Sequence, residues 1–216
     1  LLRQFRLDDA RLALPRERLS IPRYMRLGHS AIQLCGDAAL GLEMGRHSRI
    51  GQAGLAGVTA AQAPTLREAA RTLIRFEPLY AHNYRGQSSF VEDAGGAWLS
   101  FYSISPYNAF NRFVVDSVLS SWHHQLGALL GGTLALERVE IEFPAPDYAE
   151  RYERCFGCPV EFGAGHNRLR LGPGSLNQAL SQHCPSTWQQ MLELAERELE
   201  QLTRTRSLRE RIIHLL

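Results

Sequence analysis

Tyr80, His82 and Tyr84 alternate along the run from Leu79 to Arg85, so an extended backbone would set all three on one face. Trp98 and Tyr102 share a face of a second extended run, and Arg112 lies early in the helical pattern that follows. Small-ligand pockets combine aromatic walls with a few aimed polar groups, and a guanidinium answers a carboxylate or phosphate through two parallel hydrogen bonds. Tyr80, His82, Tyr84, Trp98, Tyr102 and Arg112 are therefore the candidate ligand-binding set. Each alone also suits an ordinary core or rim position, so the assignment rests on the group.

Other reactive side chains lack the spacing that chemistry demands. Cys155 and Cys158 form a Cys-x-x-Cys pair beside Phe156-Gly157, where a helix ends, with no second pair and no spaced histidines to complete a zinc site. The pair reads as two buried apolar thiols. Adjacent His123 and His124 diverge by about 100° on a helix and do not chelate one metal together. Gly51, Gly54 and Gly57 recur at steps of three, which suits close helix packing and not a dinucleotide fingerprint, and Gly172-Pro173-Gly174-Ser175 is not a nucleophile elbow. No catalytic residue is assigned, and neither a metal nor another cofactor is required.

The elements that must position these groups follow from period and punctuation. Pro22 opens a helix to about Cys35, and Asp37 caps a second that stops near Gly45. Thr65 and Glu68 have capping-box spacing ahead of the apolar face Leu66, Ala69, Ala70, Leu73 and Ile74. Three short β-prone runs between residues 79 and 104 make a meander, and the broad apolar stripe from Phe110 to Leu126 makes a long helix to cover it. Arg138 to Phe143 alternates as a half-buried strand; a short helix to Phe156 and a hairpin of Val160–Phe162 with Leu169–Leu171 complete the core. The sum is an α+β fold: N-terminal helices, antiparallel meander under a long helix, strand-helix-hairpin, and a C-terminal helix.

That last helix starts at Pro185, and its apolar residues Trp188, Leu192, Ala195, Leu199 and Leu202 recur at steps of four and three, a narrow seam for a partner helix. Leu208, Ile212 and Leu215 begin another stripe with nothing after it to pack on. The expected organisation is a sensing domain over residues 1–174, a dimerisation and linker helix over 175–205, and the start of an output domain over 206–216. The formal net charge is +2, and the arginines lie among acids without forming a stripe along the sequence. These residues alone are not expected to bind DNA. No run is long and apolar enough to span a membrane and no export signal precedes the chain, so a cytoplasmic setting without a membrane partner is expected.

One family shares this order of motifs. Gly41-Leu42-Glu43-Met44-Gly45, Gly51 and Gly54, Ala63-Pro64-Thr65-Leu66-Arg67-Glu68-Ala69, Phe143-Pro144-Ala145-Pro146 and Phe156-Gly157-Cys158-Pro159-Val160-Glu161-Phe162, with Asn167 and Leu169, resemble the N-terminal effector domain of AraC/XylS transcription regulators. The similarity is closest to the arabinose-binding-like subgroup that includes ornithine-utilisation regulators, and it spans about residues 20–205. It implies a homodimeric domain that binds a small-molecule effector and controls a following DNA-binding domain with two helix-turn-helix units, of which residues 206–216 hold only the beginning. A stand-alone haem or small-molecule sensor module without DNA-binding output is the alternative reading; haem held through His82 or His124 would predict a coloured protein.

Overall fold

A computed structural model describes residues 1–14, 18–81, 83, 86–103 and 106–204. His82, Tyr84 and the segment 206–216 lie outside the described residues. After a 3-10 turn at Leu2–Phe5 and a single turn Asp9–Leu12 (α1), Pro22 sits in the first turn of Ile21–Cys35 (α2), and Gly36 ends that helix at a φ of 69°. There the missing N–H of proline costs no helical bond, and only glycine adopts the left-handed stop freely. Leu40–Arg46 (α3) follows a turn in which Asp37 Oδ1 accepts from the Ala39 amide at 3.0 Å. Gly54–Ala61 (α4) leads to Leu66–Arg75 (α5), capped by Thr65, whose hydroxyl accepts from the Glu68 amide at 3.4 Å. All five apolar residues expected on the face of α5 are buried.

The strand expected from residue 79 begins instead as a 3-10 turn, Glu77–Leu79. Pro78 has no N–H to give to a ladder, and the Glu77 carboxylate folds inward to accept from the Ser88 amide at 3.1 Å and hydroxyl at 2.7 Å. Pairing starts later, with Ser89–Asp93 (β1) antiparallel to Gly96–Phe101 (β2). Then come Asn111–Leu129 (α6), Arg138–Ile141 (β3), Glu150–Phe156 (α7), Val160–Phe162 (β4), Asn167–Leu171 (β5), Pro173–Leu176 (α8) and Pro185–Arg204 (α9).

One five-stranded sheet holds the strands in the order β1-β2-β5-β3-β4. The expected hairpin of β4 with β5 is not formed, because β3 lies between them, parallel to β4 and antiparallel to β5. Helix α7 makes β3 to β4 a crossover unit, the connection parallel strands require. After Phe162 the chain runs past the end of β3, held by the Gly163 amide on the Phe143 carbonyl at 3.0 Å and the Ala164 amide on the Ile141 carbonyl at 2.9 Å. It then returns along the other edge of β3.

Alternation gives the sheet two unlike faces. Ala97, Leu99, Val139, Ile141, Leu169 and Leu171 are buried in one core with Val115, Leu119, Trp122 and Leu126 of α6. The opposite face carries Trp98, Arg138, Glu140, Arg168 and Arg170, with Trp98 in register with Arg170 and Arg170 with Arg138. Leu176 and Leu180 also join the core, beyond residue 174.

Helix α9 lies along its own domain. Ala195 is fully buried with Ala56 and Phe76, Leu192 and Leu199 pack beside it, and Trp188 packs on the main core. The stripe read as a seam for a partner helix is thus turned mainly toward α4 and the 77–79 turn, which offer the nearest apolar surface. Leu192, Leu199 and Leu202 stay half-buried, so the stripe keeps an open edge. Among the described residues no helix is long and apolar enough to cross a membrane.

Candidate functional site

Helix α6 is covered on both sides, which forces its polar residues indoors. On one side it meets the sheet; on the other, α2 and α3 approach through glycines. A Cβ at Gly28 would stand 2.2 Å from the Phe113 ring, one at Gly41 2.7 Å from Asp116 Cβ, and one at Gly45 2.3 Å from Ser120 Cβ. Such contacts let the α3 backbone close on α6, and they leave Asp116, Ser117, Ser120 and His123 buried. A buried polar group without a partner costs about 1–3 kcal/mol, so each calls for one.

Ser117 donates to the Val114 carbonyl at 3.0 Å, Ser120 donates to the Leu42 carbonyl at 2.8 Å, and His123 Nε2 lies 2.9 Å from the Leu134 carbonyl, whereas Asp116 takes its partners from two tyrosines. Its Oδ2 accepts from the Tyr148 hydroxyl at 2.9 Å, and its Oδ1 accepts from the Tyr152 hydroxyl. The two tyrosine rings stack at 5.8 Å with planes 12° apart, which fixes both hydroxyls toward one carboxyl. Burial pushes the Asp116 acid up to about 7, against the opposing pull of the two tyrosine hydrogen bonds and the Arg112 charge. Burial likewise raises Tyr152 and Tyr148, with the Asp116 charge adding to both.

Arg112 stands one helical turn before Asp116, its guanidinium 5.5 Å from the centre of the Phe143 ring. Its Nε is shielded from solvent and has no hydrogen-bond partner among the described residues; His29 Nδ1, where α2 meets the start of α6, and His123 Nδ1 further along α6 are in the same condition. Stacking on an aromatic ring suits a guanidinium and leaves its edge free to bond. Tyr107 continues the polar rim beyond Phe143, 5.2 Å from that ring, donating to the Glu142 carboxylate while Asn167 Nδ2 donates to the Tyr107 hydroxyl at 2.7 Å. Burial, helped by the Glu142 hydrogen bond, pushes the Tyr107 phenol up to about 12. Tyr24 of α2 closes the other side, its hydroxyl 3.4 Å from Ser117 Oγ.

Of the four described residues expected to line a pocket, Tyr80, Trp98, Tyr102 and Arg112, only Arg112 belongs to this cluster. Tyr80 is packed against the core, with its hydroxyl 3.4 Å from the Leu73 carbonyl. Trp98 is on the far face of the sheet, its ring centre 3.8 Å from the Arg168 guanidinium carbon, 5.0 Å from that of Arg138 and 5.1 Å from that of Arg170. Tyr102 is exposed, so these described members do not meet. The missed groups, Asp116, Tyr148 and Tyr152, left two traces in the sequence: an aspartate within a largely apolar helical stripe, and two tyrosines at a spacing of four.

Cys158 is buried and Cys155 half-buried, and burial raises both thiols, Cys158 to about 11, as expected of apolar packing.

Comparison with known proteins fixes the family. The sequence pattern described as the arabinose-binding domain of AraC transcription regulators, N-terminal, matches residues 1–180. This chain belongs to that family. A curated relative of the domain, the ornithine utilization regulator of Pseudomonas aeruginosa strain PAO1, is 26% identical over 216 residues, covering 98% of this chain and 62% of the relative. The arabinose-binding-domain fold is also similar to the crystal structure of the transcriptional regulator CdpR from Pseudomonas aeruginosa, with a TM-score of 0.62 at 23% identity over 89% of this chain and 59% of that one. The chain therefore spans about three fifths of the length of each regulator.

Proposed function

We propose that this chain is the effector-sensing domain of an AraC-type transcription regulator, acting in the cytoplasm without enzymatic activity, and that a small molecule binds at the Arg112–Asp116 cluster. The observation that carries this reading is the desolvated, unpartnered Nε of Arg112 one turn from a sealed carboxyl. A buried donor without an acceptor is uncommon and calls for a partner, and an effector with a carboxylate or similar acceptor supplies one. DNA binding in this reading belongs to a helix-turn-helix domain outside the described residues. The division into a sensing unit over 1–174, a linker helix over 175–205 and the entry to the output domain over 206–216 is part of the same proposal.

Coupling runs through α6 to the core that Tyr80, Trp122 and Trp188 share, and so to α9. An effector shifts the output only as far as it binds one arrangement of α9 more tightly than another. Homodimerisation enters through the open edge of the stripe, Leu192, Leu199 and Leu202, with Trp188 and Ala195 holding the helix to its own domain.

A thermal-shift screen over amino acids, sugars, fatty acids and nucleotides tests the sensing function, since a ligand of the folded state raises the unfolding temperature. Arg112→Ala is expected to abolish the shift given by any hit. A shift that survives in Arg112→Ala moves the site elsewhere. Light scattering tests the dimer: Leu192→Asp and Leu199→Asp are expected to halve the mass, and an unchanged dimer removes this edge from the interface.

A further inference from the structure

The inward turn of Glu77 helps to build a cavity of about 360 Å³ between α5, the turn Glu77–Leu79 and the start of β1. Arg71, Ile74, Arg75, Glu77, Pro78 and Phe90 contribute to its lining. Both signs of charge and three apolar side chains therefore meet in one space.

The acidic member is Glu77, 9% exposed. Its oxygens accept from the Ser88 amide and hydroxyl, and among the described residues no cation bonds it. A carboxylate offers about four acceptor positions, so Ser88 leaves roughly half of them unused. Burial pushes the Glu77 acid up, against the pull of the two Ser88 bonds. A carboxylate in such a place gains from a cation brought to it.

The basic members are Arg71 and Arg75, four apart on α5 and hence on one face of it. Arg71 is held by Glu68 and Glu92, with its guanidinium carbon 5.5 Å from the centre of the Phe90 ring. Arg75 is less committed. It meets Glu196 of α9 at 2.7 Å, and its side chain is 59% exposed. Exposed pairs contribute little, so a second carboxylate draws Arg75 away at small cost.

We propose that this cavity binds a free amino acid, with its ammonium on Glu77, its carboxylate on Arg75 and its side chain against Ile74, Pro78 and Phe90. The three donors of an ammonium fill the acceptor positions that Ser88 leaves, and a guanidinium takes a carboxylate through two parallel bonds. A simple cation would face two guanidiniums here and a simple anion would face Glu77, so a ligand with both charges is the match. Its carboxylate competes with Glu196 for Arg75, and that ion pair is the one joining α9 to the rest of the domain among the described residues. Occupancy is thereby felt on α9. The site stands apart from the Arg112–Asp116 cluster and does not depend on it.

Calorimetric titration of the 216-residue protein with each standard amino acid in turn tests the proposal. Saturable heat is expected with at least one of them. Its primary-amine analogue, which lacks the carboxylate, and its hydroxy-acid analogue, which lacks the ammonium, should each bind about tenfold more weakly or worse. Glu77→Gln, alike in shape but uncharged, should weaken binding about ten- to a hundredfold, and Arg75→Gln about tenfold. Because Arg75 is exposed, its variant should unfold at the parent's temperature, which keeps lost binding distinct from lost folding. Glu196→Gln removes the competitor and should tighten binding a few-fold, roughly the worth of an exposed pair; a merely structural role gives no such gain. Binding that persists in Arg112→Ala and falls in Glu77→Gln and Arg75→Gln belongs to this cavity. The reverse pattern places the amino acid at Arg112 and overturns the site, as does the absence of saturable heat with any amino acid.

Discussion

Tyr152 donates its hydroxyl hydrogen to Asp116, a carboxyl 1% exposed at the centre of the helical layer. With Tyr148 on the second oxygen, the pair ties α7 and the turn before it to the middle of α6. Among the described residues Arg112 is the cation that acts on the charge of Asp116, which makes protonation an energetic variable.

Stability should depend on pH through Asp116. An aspartate of an unfolded chain titrates near 3.9, and burial holds this one up near 7 in the folded protein. The folded state keeps its proton more readily, so the contribution is present below about pH 4 and is lost as pH rises through about 7. Its size is a few kcal/mol. Urea unfolding of Asp116→Asn beside the parent should show the difference between them moving toward the variant from pH 5 to pH 8. Parallel profiles would remove Asp116 as the titrating group.

Gly28→Ala should destabilise the protein by about 1–3 kcal/mol, since its methyl group would collide with the Phe113 ring. A smaller neighbour should give part of this back. In thermal unfolding, Gly28→Ala with Phe113→Leu is expected to lose less than the two single variants added together, the mark of residues in contact. Additive losses would place the strain elsewhere.

Thiol reactivity should divide the cysteines. Cys184 precedes α9, where the Ser186 and Thr187 hydroxyls lower its pKa to about 7, whereas burial raises those of Cys155 and Cys158. Because the thiolate is the nucleophile, a fast labelling phase with a midpoint near pH 7 is expected in the native protein. Cys184→Ser should eliminate that phase and leave Cys155 and Cys158 to react only on unfolding. Prompt labelling of the latter two would contradict their packing.

Two neighbours on α9 should respond very differently. Ala195 is fully buried against Ala56 and Phe76, so Ala195→Leu overfills a closed contact and should cost about 1–3 kcal/mol in urea unfolding. Glu196 meets Arg75 at 2.7 Å, but both side chains are well exposed, and Glu196→Ala should change stability by less than about 1 kcal/mol. Similar effects for the two would mean that α9 is not seated on α4.

Local signals carried the secondary structure well where one force dominated. The end of the first long helix at Cys35 and the Thr65 cap were readable because each depends on a few adjacent residues. The run from Tyr80 was misread because the Glu77 carboxylate bonds to Ser88, eleven residues on, and no local pattern announces that. The pairing of β3 with both β4 and β5 was hidden for the same reason: alternation marks a strand, not its neighbour. Trp98 was placed correctly on its own strand, but which face met α6 was decided by Ala97 and Leu99, small and apolar beside it. The Asp116 cluster was obscured because its partners come from α7 and the residues before it.

The position of Asn167–Leu171 in the middle of the sheet has a temporal consequence. This strand joins the hairpin of residues 89–101 to the pair formed by 138–141 and 160–162, yet it is the last of the five strands to be made. A nascent chain halted before it would present two open edges where one sheet should be, and such edges invite pairing with other chains. Synthesis past residue 171, and then past Ala195, is what seals them, so chains truncated in that interval should be the ones that demand a chaperone.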